Sequence, residues 1–221
     1  MLFRSVATLL LALLSACDTT EEQAEKRYQE AVELIAEGET QRGLITLRNV
    51  FRLNGFHRDA RMLYAETVLE QGDVEEAIGH YRLVAEQYPE DVEARVALAR
   101  LALSSGVWEL ARDEVEALNR FAAEDPEVVA VAIAVDYADA LRSNDAAAQA
   151  EAVEAARALL ETRRDDMLLI KVDIDALTRV QRFSAALDAV DAALDRFPFD
   201  PELNQTKLNI LATLEDLAGL G

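Results

Sequence analysis

From Glu21 onward the chain repeats one hydrophobic rhythm. In Gln71–Asp91 (QGDVEEAIGHYRLVAEQYPED), Ala77, Ile78, Tyr81, Val84 and Ala85 recur at the three- and four-residue steps that line one face of an α-helix. Gly72 reads as a turn, Asp73 as an N-cap, and Tyr88-Pro89 as a helix end, because proline disfavours helical backbone in the residue before it. The same reading predicts eleven helices, at about 21–36, 40–53, 58–70, 74–88, 91–104, 107–123, 126–142, 146–163, 166–180, 183–196 and 201–218. Turn signals at Gly38, Gly72, Gly106, Asp125-Pro126, Ser143-Asn144-Asp145, Asp165-Asp166 and Pro198–Pro201 separate them. No alternating run of β-branched and aromatic residues predicts a strand, so the fold class is all-α.

The helices pair on a fixed period. Gly38, Gly72 and Gly106 are 34 residues apart, as are Gly43, Ala77 and Ala111, and Ala152 and Ala186. The second pair carries Tyr64, Ala65 and Val68, then Ala77, Tyr81 and Pro89; the third carries Leu98, Ala99 and Ala102, then Ala111 and Val115. The first has Ala31 and Leu34, then Gly43 and Leu47, with Gly55 in the proline position; a later pair has Ile170, Ile174 and Leu177, then Ala186, Val190 and Pro198. The small residues let antiparallel helices approach to about 8–10 Å. From Ala111 to Ala152 is 41 residues, an excess of 7, which we assign to a longer second helix before Pro126 and a longer pair around Ser143-Asn144-Asp145.

A 34-residue helix–turn–helix with these residues in these slots resembles the tetratricopeptide repeat (TPR). The resemblance covers about Glu21–Gly221 and is strongest at Gly72–Asp91, while Arg27, Glu30, Arg61, Arg95 and Asp173 depart from the usual apolar or small residues. It implies a right-handed α-solenoid of about five TPR helix pairs plus a C-terminal single helix, occupying 24–221 as one elongated domain. It further implies a concave face, lined by the first helix of each pair, that holds peptides or helices. Carried over residue by residue, that face is Tyr28, Val32, Met62, Glu66, Val96, Arg100, Tyr137, Lys171 and Asp175. The mix of apolar and charged residues suits an amphipathic helix or extended peptide. It lacks the regular Lys/Asn/Arg set with which chaperone-tail TPR domains hold a C-terminal carboxylate.

The last helix opens at Pro201 and carries Leu203, Ile210, Leu211, Leu214 and Leu217 on one stripe, with Asn204, Gln205, Asn209 and Glu215 outside it. Either it is a polar-backed cap, or Gly219-Leu220-Gly221 is the turn before a further helix on which Leu208 and Leu220 would pack. The turn-like ending favours the second reading.

Met1–Ala16 stands apart from this rhythm. Arg4 and the apolar run Val6–Leu14, too short to span a bilayer, read as a secretory leader. Leu14-Ser15-Ala16-Cys17 resembles the bacterial lipobox, which implies lipidation of Cys17, with 17–23 as a tether; the alternative is an ordinary leader with an incidental cysteine. Cys17 is the one cysteine, which excludes an intrachain disulfide. The expected location is therefore the bacterial cell envelope, lipid-anchored and facing the periplasm. Asp18 resembles an inner-membrane retention signal in some bacteria, and the choice of membrane stays open.

Composition narrows function mainly by exclusion. The net charge of −20 disfavours nucleic acid, which needs Lys and Arg against its phosphates. One stretch runs the other way: Arg42, Arg48, Arg52, Arg58 and Arg61 against Asp59 alone, either a solvated face or a patch for anionic headgroups or an acidic partner. His57 and His80 lie 23 residues apart with no Cys/His cluster, so no metal site is expected. Glycines stand singly rather than as a phosphate-binding run, no cofactor or small-molecule substrate is indicated, and no carboxylate pair is set apart for catalysis. Trp108 and Tyr137 read as interhelical packing. The expected function is a non-enzymatic, lipid-anchored scaffold binding protein partners for envelope assembly or export. The alternatives are a regulator docking a periplasmic hydrolase, or a self-associating structural array.

Overall fold

Side chains at the helix starts fix where most of the elements begin. Thr19 accepts from the Glu22 amide at 3.1 Å while the Glu22 carboxylate accepts from the Thr19 amide at 2.8 Å, a capping box that opens α1 (Thr20–Ala36). The computed structural model describes residues 19–219, with side chains through 215. The leader, Cys17, Asp18, Leu220 and Gly221, and the side chain of Leu217, lie outside the described residues. The other helices are α2 (Thr40–Leu53), α3 (Arg58–Glu70), α4 (Val74–Gln87), α5 (Val92–Ser104), α6 (Trp108–Asn119), α7 (Pro126–Ser143), α8 (Ala146–Leu160), α9 (Met167–Arg179), α10 (Phe183–Leu194) and α11 (Pro201–Gly219). There is no strand among the described residues. Asp73, Asp125, Asp145 and Asp166 each accept from a first-turn amide, as Asp73 was expected to.

The turns within pairs all use left-handed backbone. Gly38, Gly72 and Gly106 have φ of 81, 85 and 72°, and the equivalent residues of the later pairs are Asn144 at 55° and Gln181 at 59°. Glycine adopts this conformation without the Cβ clash that burdens other residues.

Of the two places expected to hold the excess length, the pair around Ser143-Asn144-Asp145 is longer as read, but the second helix before Pro126 is not. α6 is 12 residues long and ends at Asn119, where Arg120 and Phe121 donate to Ala117 and Leu118 three residues back and tighten the last turn. The extra residues lengthen α7, at 18 residues, and, in place of a longer α6, occupy the turn 120–125. Ala122-Ala123-Glu124 are good helix formers, so nothing local marked the stop.

The helices group into two compact units, one through Leu101 and the other from Ala102. In the first, Ala31, Leu47, Ala65, Ala77 and Leu98 are fully buried. Gly43 marks the closest crossing of α1 and α2, where a Cβ would come within 2.4 Å of Ile35 Cγ1. Phe51, Tyr64 and His80 form one aromatic cluster, with Tyr64 stacked on His80 at 4.3 Å and its hydroxyl donating to Glu76 at 2.7 Å. Arg61 and Arg95, departures from the repeat pattern, do related work one pair apart. Arg61 donates to the Gly55 carbonyl at 2.8 Å, and Arg95 to those of Pro89 and Ala85 at 2.7 and 3.2 Å. Each aliphatic stem occupies the slot of a large apolar residue while the guanidinium satisfies carbonyls at the end of the preceding pair.

In the second unit α9 is buried on two sides. Leu169 and Val172 pack with Ala130, Ala134, Ala152 and Ala156 of α7 and α8. Ile170, Ile174 and Leu177 pack with Ala186 and Val190 of α10 and with Leu203 and Ile210 of α11. The α11 stripe thus lands as expected, with Leu211 and Leu214 half-buried and Asn204, Gln205, Asn209 and Glu215 outward.

Candidate binding surface

The expected surface of the first unit rests on α1, α3 and α5. Tyr28, Val32 and Arg100 are half-buried and Glu66 is exposed, whereas Met62 and Val96 are 5% and 7% exposed and belong to the packing between helices. The residues of that set with surface left exposed there are therefore Tyr28, Val32, Glu66 and, in part, Arg100. Tyr28 lies against His57, ring centroids 4.9 Å apart.

Three acidic residues absent from that set give the surface its character. Glu25, Asp59 and Glu93 stand 34 residues apart, at one equivalent position of α1, α3 and α5. Partial burial raises the Tyr28 hydroxyl pKa, and Asp59, Glu25 and Glu66 add to it. Burial likewise raises the Glu66 carboxyl, with Glu93 and Glu70 adding, and pushes the Tyr81 hydroxyl up to about 12, with Glu66 and Glu93 adding. Arg58 offsets this field at two of the three: it donates to Glu93 at 2.6 Å and to Asp59 at 2.9 Å, and also to Asp91 at 2.5 and 3.1 Å. The period of 34 made this row legible in sequence, but only as equivalent positions among many surface carboxylates.

The arginine-rich stretch separates into individual bonds. Arg42 pairs with Glu39, Arg48 donates to the Tyr64 hydroxyl at 2.9 Å, Arg58 is held by carboxylates and Arg61 by a carbonyl as above, and of the five Arg52 and Arg61 have no ion pair among the described residues. Trp108 is half-buried beneath Arg142, whose guanidinium lies 5.5 Å from the ring centroid.

In the second unit the expected residues are Tyr137, Lys171 and Asp175. Tyr137 is 6% exposed and donates to Asp175 at 2.7 Å, and Asp175 also accepts from Arg179 at 2.5 Å. Burial, then the hydrogen bond to Asp175, raises the Tyr137 pKa. Lys171 pairs with Glu202. Lys171 and Asp175 line a groove of about 300 Å³ between α9 and α11, floored by Ile174 and Ile210 and edged by Thr206 and Asn209. A larger open groove, about 710 Å³, runs over α7 between α6 and α8. Arg112 holds Asp139 through two 2.8 Å bonds, while burial, then Asp139 and Glu151, raises the Asp136 carboxyl. Sequence reasoning missed this groove, because it arises where the pairing departs from the 34-residue period. Among the described residues no group of three His, Cys, Asp or Glu side chains could hold a metal ion, and no helix is long and apolar enough to cross a membrane.

These features fit what comparison with known proteins finds. The family model described as tetratricopeptide repeat matches residues 68–132. A tetratricopeptide repeat protein from Parabacteroides merdae is 15% identical, with a TM-score of 0.69 over 87% of this chain and 73% of that one. PilF of Pseudomonas aeruginosa is 15% identical, with a TM-score of 0.56 over 90% and 94%. YrrB, described as a TPR protein with an unusual peptide-binding site, is 14% identical, with a TM-score of 0.56 over 90% and 98%. No curated protein matches in sequence.

Proposed function

We propose, taking as premise that this is a tetratricopeptide-repeat protein of all-helical, solenoid class, that it works by holding protein partners rather than by catalysis. In this reading it is a scaffold anchored through an acylated Cys17, facing the periplasm, and serving envelope assembly or export. The observation that carries the binding half is the division of the first helices. Their small and apolar slots are spent on packing, while Glu66 stays exposed and Tyr28 and Val32 stay partly exposed on the helices that carry the Glu25–Asp59–Glu93 row. Such a surface favours an extended or helical segment that brings apolar side chains together with Lys or Arg. The peptide-binding site in the description of YrrB supports a peptide ligand. The Leu14-Ser15-Ala16-Cys17 pattern supports the anchor.

Two measurements test the two halves. Cys17→Ser, fractionated from cells, is expected to give a soluble protein or an unprocessed precursor; a processed and still membrane-bound protein would falsify the anchor. Pull-down from detergent-solubilised membranes is expected to recover assembly or export subunits, with recovery lost in Glu66→Arg. Recovery of a peptidase or murein hydrolase would replace the scaffold with a regulator of that enzyme.

A further inference from the structure

The turn that joins α2 to α3 presents an aromatic side chain to solvent beside the start of α1. His57, in this turn, places Nε2 3.2 Å from the Glu25 carboxylate, so the turn lies along the first two turns of α1. Its Nδ1 accepts from the Ala60 amide at 3.2 Å, which leaves the proton on Nε2. Phe56 is 66% exposed. The turn around it is fixed: the Phe56 amide donates to Asn54 Oδ1 at 2.9 Å and its carbonyl accepts from the Tyr88 hydroxyl. The ring is thus held outward by a pinned backbone. Arg52, in the last turn of α2 and four residues before Phe56, is also exposed.

The second unit repeats the association in its own turns between pairs. Phe121 follows Arg120 and is 39% exposed, and Phe199 follows Arg196 by three residues and is 94% exposed. The turns within pairs, 37–39, 71–73, 105–107, 144–145 and 180–182, contain no aromatic residue. In a row of antiparallel helices, a turn between pairs returns to the edge where the first helix began. In the first unit, that edge carries Thr19.

We infer that this edge of the first unit rests on the lipid surface, with the Phe56 ring in the interfacial layer and Arg52 at headgroup level. The inference depends on the proposed anchor at Cys17. Cys17 lies two residues before Thr19, at most about 7 Å of extended chain. Glu25 lies six residues beyond Thr19, about 9 Å of helical rise. The anchor therefore holds the Phe56 turn near the headgroups, where aromatic rings flanked by Arg are stabilised. Glu25, bonded to His57, and the exposed Asp59 put negative charge at the turn, so anionic lipid is not the attraction, and zwitterionic headgroups suffice. One phenylalanine gives little affinity by itself; a tether supplies the local concentration, and the ring then fixes orientation.

The test uses the chain from Cys17 onward, carrying Trp108→Phe and Phe56→Trp, coupled through its one thiol to a maleimide lipid in phosphatidylcholine vesicles. Thermal melting first checks that the substitutions leave the fold intact. On coupling, the tryptophan emission is expected to shift to the blue and to be quenched by lipid brominated on its acyl chains. A second protein, Trp108→Phe with Ala36→Trp, reports from the exposed far end of α1 and is expected to keep a water-like emission. An unshifted, unquenched Phe56→Trp would overturn the inference and leave this face to a protein partner. Equal shifts at both positions would overturn it too, because no edge would then be singled out. The coupling is chemical, so these outcomes do not depend on acylation in the cell, which the Cys17→Ser fractionation reads separately.

Discussion

His80 is the residue whose surroundings suit it least. Its ring is stacked on Tyr64 and its Nδ1 is buried with no hydrogen-bond partner. Burial, with Arg61 and Arg48 near and only Glu76 opposing, pushes its pKa down from 6.5 to about 4. Between these values the unfolded chain takes up a proton that the folded chain refuses, so stability falls as pH drops through that window and levels off below it. The full shift would correspond to about 3 kcal/mol, and because the ring is only partly buried the loss should be on the order of 2 kcal/mol. His80→Phe keeps a stacked ring and removes the titration. Its urea midpoint is expected to decline less than the wild type's between pH 6.5 and 4.5, and parallel curves would acquit His80. Gln181 presents a backbone counterpart, holding at φ 59° the place that glycine fills at Gly38, Gly72 and Gly106. Gln181→Gly is expected to stabilise by up to about 1 kcal/mol, relief of the left-handed strain outweighing glycine's entropy cost. Gly72→Ala, where a Cβ meets nothing within 4 Å, should cost about 1 kcal/mol through backbone conformation alone. Thermal melts of both variants check the pair, and a lower midpoint for Gln181→Gly would assign the Gln181 side chain a contact of its own.

Helix pairs succeed here because small residues stand at their crossings, and that makes the crossings brittle. Ala77 is fully buried on α4, one period after Gly43. Ala77→Leu is expected to lower the urea midpoint by the equivalent of ~1–3 kcal/mol, since the added atoms have no space without moving a helix. An unchanged midpoint would contradict the register of the pairs. That register was readable in the sequence because a period of 34 with alternating turn residues leaves few alternatives. The end of α6 was not readable, because a tightened last turn is set by local hydrogen bonding within a run of helix formers. The candidate surface was readable only as a row of equivalent positions. Tyr28, Met62 and Val96 share one place in the repeat, yet the first is half-buried and the other two are almost closed. Periodicity identifies which residues correspond; whether a neighbour covers them depends on three-dimensional packing.

For the molecule as a whole, self-repulsion at a charge of −20 works against the compact state, so the alanine-rich helix contacts can lose little packing. The second unit concentrates that sensitivity in α11. Leu203 and Ile210 are each 2% exposed and cover Ile174, Ala186 and Val190, while Leu208, on another side of α11, is 61% exposed. Burying two such side chains contributes about 1.5–3 kcal/mol each. Their removal would also uncover the apolar faces of α9 and α10. Deleting Leu203–Gly221 is therefore expected to lower the melting temperature and to bring aggregation visible by light scattering. Ile210→Ala separates loss of packing from loss of the helix. It should cost roughly 2–5 kcal/mol while the protein stays monodisperse, because the helix still covers the face beneath it. If the deletion left both melting and solubility unchanged, α11 would not be part of the unit's core, and the readings of it as cap or as bridge to a further helix would fail together.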